Sequence, residues 1–120
     1  MRIVIDLDGV ICPTRAPDES YADLEPLPHA AERIRDLRAK GHYIIINTAR
    51  HMATCDGNMG KLMKKIAGPT LRWLDEHGIE YDEIYFGKPN ADVYIDDRAI
   101  RFLDWGLITD RRLERSVRGR

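Results

Sequence analysis

Four short apolar runs punctuate the chain: Ile3 to Leu7, Tyr43 to Ile46, Ile84 to Phe86 and Val93 to Ile95. Each is brief, rich in β-branched or aromatic residues, and bounded by polar residues or glycine, which is the pattern of strands buried on both faces. Between the first two, Pro28 to Gly41 sets Ala30, Ile34 and Leu37 at helical spacing, with Gly41 where a helix would stop. Between the second and third, Gly60 to His77 carries Leu62, Ile66, Leu71 and Leu74; Gly68-Pro69 interrupts it and Gly78 ends it, predicting two helical pieces. Strands alternating with helices require crossover connections. The pattern therefore predicts an α/β fold, a three-layer Rossmann-like parallel sheet with helices on both faces. Residues 11–28 hold Pro13, Pro17, Pro26 and Pro28 and read as a loop or short flap; residues 49–60 read as a second loop.

Length and charge narrow this picture. At 120 residues the chain has room for one domain and one site. Apolar residues at 43% against 32% charged exclude disorder and leave no apolar stretch for a membrane span. The start, Met1 to Gly9, has no signal-peptide pattern, so a cytoplasmic location is expected. Cys12 and Cys55 are too few for a zinc site or a disulfide framework and are expected to be reduced, packed thiols. From Asp110 to Arg120 five arginines face two acids, a local +3. With a net charge of −1 overall, that leaves −4 on residues 1–109. The expected organisation is a catalytic core over 1–109 followed by a frayed basic tail over 110–120. An acidic body of this kind argues against nucleic acid as the main partner.

The residues after each run decide the chemistry. Asp6-Leu7-Asp8-Gly9 ends the first, Asn47-Thr48-Ala49-Arg50 the second, Gly87-Lys88-Pro89 the third and Asp96-Asp97-Arg98 the fourth. Parallel sheets bind ligands beyond the carboxyl ends of their strands, so these groups are expected at one edge. Four carboxylates, a hydroxyl and an ammonium suit a phosphate held on a metal ion. The mutual repulsion of Asp6, Asp8, Asp96 and Asp97 calls for a cation, and hard oxygen ligands shared with phosphate and water favour Mg²⁺. Lys88 and the Thr48 hydroxyl can neutralise and hold a transferring phosphoryl group.

These four motifs, in this order and each after an apolar run, resemble those of the haloacid dehalogenase superfamily of phosphotransferases. The resemblance covers Arg2 to about Trp105. It implies that Asp6 is the nucleophile of an aspartyl-phosphate mechanism and that Asp8 is the acid for the leaving group and the base for water. It further implies that Thr48 and Lys88 hold the phosphoryl group, and that Asp6, the Asp8 carbonyl, Asp96 and Asp97 surround the Mg²⁺. Thr48-Ala49-Arg50-His51-Met52, Asp56 to Lys61, Tyr81 to Pro89 and Tyr94 to Arg101 are similar to small phosphatases found with bacterial capsule and polysaccharide biosynthesis. A phosphorylated sugar or related small metabolite is the substrate this implies.

Ala49, Arg50 and His51 lie next to Thr48, where contact with phosphate or substrate is expected. Thirty-nine residues separate Asp8 from Thr48, and thirty-nine separate Thr48 from Lys88. Neither gap has room for a cap domain, and cap domains are what close the site in larger members. A homo-oligomer is therefore expected to cover the open site. Two alternative functions are a polynucleotide 3′-end phosphatase and a low-turnover phosphate-ester binding protein.

Overall fold

The computed structural model describes residues 1–50, 52, 56 and 58–118. Strands β1 (Arg2–Asp6), β2 (Tyr43–Thr48) and β3 (Glu83–Phe86) form one parallel sheet in the order β1-β2-β3. Asp6 lies opposite Asn47, and Thr48 opposite Phe86. The carboxyl ends of the strands are thus level, and the loops leaving them emerge at one edge.

Side chains alternate along a strand, so Ile3, Ile5, Ile44, Ile46 and Ile84 share one face. That face joins a core with Ile34 and Leu37 of α1 (Ala30–Ala39) and Trp73 and Leu74 of α3 (Gly68–Glu76). These helices are the two crossovers, and the layered α/β architecture has no cap domain inserted between its strands. Trp73 and Trp105 are packing residues. Each is buried while its indole N–H donates to a backbone carbonyl, Leu24 and Val10 respectively, at 2.8 Å.

Asp82 clasps the entrance to β3. Its N–H donates to the Ile44 carbonyl, and its carboxylate accepts the Ile44 N–H, both at 2.8 Å. Arg38 of α1 forks the same carboxylate at 2.9 and 3.1 Å.

Three expectations need correction. The predicted break at Gly68-Pro69 is instead a continuous helical path. A short α2 (Met59–Leu62) runs through a π turn (Met63–Ala67) into α3. Proline at the start of α3 lacks an N–H and its ring crowds the carbonyl four residues back, so the ladder loosens there rather than stopping.

The fourth run does not form a strand. Val93, Tyr94 and Ile95 are 73%, 50% and 99% exposed. Three residues offer few ladder bonds, and local contacts compete with them. The Tyr94 hydroxyl donates to the Pro89 carbonyl, Lys88 Nζ lies 4.4 Å from the Tyr94 ring centroid, and Asp96 turns the chain by accepting the Arg98 N–H at 2.7 Å.

The basic tail is not frayed through its described length. Asp110–Val117 is helix α4, capped by Thr109, whose Oγ1 accepts the Arg112 N–H at 3.2 Å. Leu113 is buried in the common core, and Asp110 pairs with Arg33 and Lys40 of the α1 region at 2.8 and 2.7 Å. The packed unit thus continues past residue 109.

Candidate active site

The site is built outward from the end of β1. The Leu7 carbonyl accepts the N–H groups of Val10, Ile11 and Cys12, and the Gly9 N–H donates to the Cys12 carbonyl at 2.7 Å. This tight loop needs Gly9 at φ +87°, a region costly for a side chain. Leu7, Ile11 and Cys12 are fully buried beneath it, which leaves Asp6 and Asp8 as the polar side chains at its mouth.

Each carboxylate has its own cation. Asp6 accepts the Leu7 N–H at 2.8 Å and faces Lys88 Nζ at 3.2 Å. Asp8 is forked by Arg50, with Nη2 to Oδ1 at 2.8 Å and Nε to Oδ2 at 3.4 Å. Lys88 is placed by backbone: the Gly87 and Lys88 N–H groups both donate to the Thr48 carbonyl, at 3.1 and 3.0 Å. Gly87 has φ +95°, and a Cβ there would meet Met59 Sδ at 2.7 Å.

Thr48 is fully buried, and its Oγ1 accepts the Arg50 N–H at 3.0 Å. It therefore forms the floor of the site. Ala49 comes directly after, its carbonyl accepting the Met52 N–H at 3.0 Å. His51 and Cys55 lie outside the described residues.

The structure brings together Asp6, Asp8, Thr48, Arg50 and Lys88. It does not bring Asp96 and Asp97 to them. Asp96 is engaged in its local turn, and the Asp97 side chain is 86% exposed, 4.0 Å from Arg98. Among the described residues no three His, Cys, Asp or Glu side chains converge as a metal site. The expected four-carboxylate cluster is thus absent from this arrangement, because the run that would carry its second half is not in the sheet. As placed, Asp6 and Asp8 are already matched by Lys88 and Arg50, so the donor set does not fit a divalent ion.

Sequence reasoning missed three neighbours of the Asp8–Arg50 pair. Cys12 Sγ lies 3.5 Å from Asp8 Oδ1; burial, then the Asp8 charge, pushes its thiol up to about 12, so it stays protonated. It is free and buried, as expected of a packed thiol. Thr70 Oγ1 accepts from Arg50 Nη1 at 3.4 Å, and the Tyr21 ring lies under the Arg50 guanidinium at 3.9 Å. The tight loop after Asp8 was a signal for Cys12. Nothing in the spacing of Thr70 or Tyr21 marks them.

The parallel α/β fold, with its carboxylates, lysine and buried threonine at one strand edge, defines a haloacid dehalogenase-like hydrolase, a phosphatase. Residues 16–104 match the model of the family described as 5′ nucleotidase, deoxy (pyrimidine), cytosolic type C protein, and the chain belongs to that family. A solved structural-genomics target from Vibrio cholerae is 38% identical and superposes with a TM-score of 0.76, over 83% of this chain and 82% of that one. A solved D,D-heptose 1,7-bisphosphate phosphatase from B. bronchiseptica, complexed with magnesium and phosphate, is 21% identical with a TM-score of 0.52. The match spans 76% of this chain and 51% of that one, a likeness of fold. No curated protein matches the chain. No helix among the described residues is long and apolar enough to cross a membrane.

Proposed function

We propose that the protein is a phosphomonoesterase working through an aspartyl-phosphate on Asp6. The observation that carries the reading is the pair of carboxylates at the end of β1, each with a different cation. Asp6 attacks phosphorus and the ester P–O bond breaks, while Asp8 gives the leaving oxygen its proton. Water then attacks the aspartyl-phosphate and Asp8 takes the proton back, releasing inorganic phosphate and restoring Asp6. Lys88, 3.2 Å from Asp6, neutralises the transferring oxygens. Thr48, from the floor, helps to hold them.

Magnesium is the cofactor this reading calls for; the sequence resemblance puts it on Asp6, the Asp8 carbonyl, Asp96 and Asp97, but as placed the last two stand away from the first two. Haloacid dehalogenase phosphatases generally use it, and the heptose bisphosphate phosphatase was solved with it. Because the present donor set does not fit the ion, no step above runs through it. Activity that disappears in EDTA and returns with Mg²⁺ is the expected result.

The substrate is a small ring-bearing phosphomonoester. The family description directs attention to deoxypyrimidine nucleoside 5′-monophosphates. The sequence resemblance directs it to a sugar phosphate of polysaccharide biosynthesis. A hydrolysis panel holding both classes, run with Asp6→Asn as the control, separates them; turnover of neither class sinks the proposal. A cytoplasmic setting is consistent with the free thiol of Cys12. Coverage of the open site by a second copy is part of the same reading, and a fully active monomer at micromolar concentration in sedimentation would refute it.

A second reading, an end phosphatase for polynucleotides, is favoured by one observation. A concavity of about 540 Å³ over α4 is lined by Arg111, Arg112 and Arg115 with Thr109 and Ser116. A steep loss of activity on an oligonucleotide 3′-phosphate with added salt would support it.

A further inference from the structure

Arg50 stands where a substrate contact was expected, yet its side chain is only 1% exposed. Its guanidinium is occupied on every side. It forks both oxygens of Asp8, donates to Thr70 Oγ1 and lies 3.7 Å from Cys12 Sγ, and one face is stacked on Tyr21. Little of it is left to meet a ligand. Asp8 differs, because its side chain is 25% exposed and can reach a ligand while Arg50 grips it from below.

We propose that Arg50 is a positioning residue that fixes the Asp8 carboxylate for proton transfer to the leaving group. The inference rests on the phosphatase reading and on Asp8 as its acid and base. A proton donor must come within about 3 Å of the leaving oxygen along a productive line, and a carboxylate free to turn about its last bond spends little time there. Two N–H groups in a rigid planar fork remove that freedom; an ammonium, being a point charge, does not. The fork is itself fixed. Thr70 stands in the first turn of α3, just after the π turn, and Tyr21 in a short 3₁₀ turn of the 11–28 flap. The orientation of Asp8 therefore depends on two elements that carry no catalytic group.

The test uses leaving groups, because a proton donor matters most where the leaving oxygen is most basic. In magnesium-containing buffer, kcat/KM is measured for p-nitrophenyl phosphate and for phenyl phosphate. Arg50→Lys is expected to cost phenyl phosphate at least about tenfold and p-nitrophenyl phosphate no more than about threefold. Thr70→Val, which removes an anchor of Arg50 and leaves Asp8 and Arg50 intact, is expected to give a weaker bias in the same direction. It decides the matter alone if Arg50→Lys does not fold. Equal losses on both esters, or a rise in KM with no bias, would show that Arg50 supports the fold or touches substrate, and the proposal is overturned. A wild-type protein that hydrolyses neither ester, or an Asp6→Asn variant as fast as the parent, overturns the phosphatase reading and this inference with it. Unbiased variants of an active parent overturn this inference alone.

Discussion

Two carboxylates stand two residues apart at the end of β1, and the structure treats them differently. Asp6 meets a lysine on a loop, with the two side chains 33% and 21% exposed. Asp8 meets an arginine that is stacked, hydrogen-bonded and 1% exposed. One pair is wet and can separate; the other is dry below and held. The difference matches the division of labour between a nucleophile and a proton carrier. A nucleophile must release its cation to the incoming phosphate, whereas a proton carrier must keep its direction through two steps.

The largest effect should come from the wet pair. Asp6→Asn, a near-isosteric amide, should lower kcat by at least about a thousandfold with thermal unfolding little changed. Parental turnover by that variant would end the comparison. Next, Lys88→Met should lower kcat/KM roughly a hundredfold, by the same factor for phenyl and p-nitrophenyl phosphate. Any leaving-group bias in that variant would place Lys88 on the proton-transfer side and merge the two roles. A control on the scaffold is Leu37→Ala in the shared core, expected to cost about 2–5 kcal/mol in a denaturant titration without changing the preference between the esters.

The smallest effect concerns exposed pairs of the Asp6 type that lie far from the site. The Asp110 carboxyl is pulled down to about 2, first by Lys40 and then by Arg33. Its depressed value means that its stabilising contribution is present above its ordinary value near 3.8 and is lost as pH falls through about 2. Asp110→Asn should therefore melt slightly below the parent at neutral pH, and the gap should close by about pH 2. A gap unchanged at that pH would mean that the loss comes from helix capping or packing.

Much of this site was legible before folding, for a physical reason. Asp6, Thr48 and Lys88 each stand at or just past the end of an apolar run that becomes a strand, and parallel pairing brings the ends of such strands level. Asp96 and Asp97 come after an apolar run too, but Val93 to Ile95 is so short that a tyrosine hydroxyl and an Asx turn compete with pairing. Helix α4 had its signal in Thr109 and Asp110, a cap and an acidic first turn, but only Leu113 marks its inner face among many arginines. Arg50 was read as a contact to phosphate or substrate because it adjoins the threonine. What turns it inward is Tyr21 and Thr70, 29 and 20 positions away, with no periodicity linking them to it.

The way Lys88 is held matters to anyone who would redesign the enzyme. A single main-chain oxygen, that of Thr48, receives the two N–H groups that set the lysine's origin, and no side chain is needed for it. Beyond Pro89, the positions other than Tyr94, which meets the lysine, and the acid pair Asp96 and Asp97 are thus places to alter recognition, since they can change without moving that anchor. The fixed letter is Gly87, because its φ of +95° is a conformation that side chains rarely adopt. A library should randomise around Tyr94, Asp96 and Asp97 downstream of the lysine and leave those three and the glycine alone.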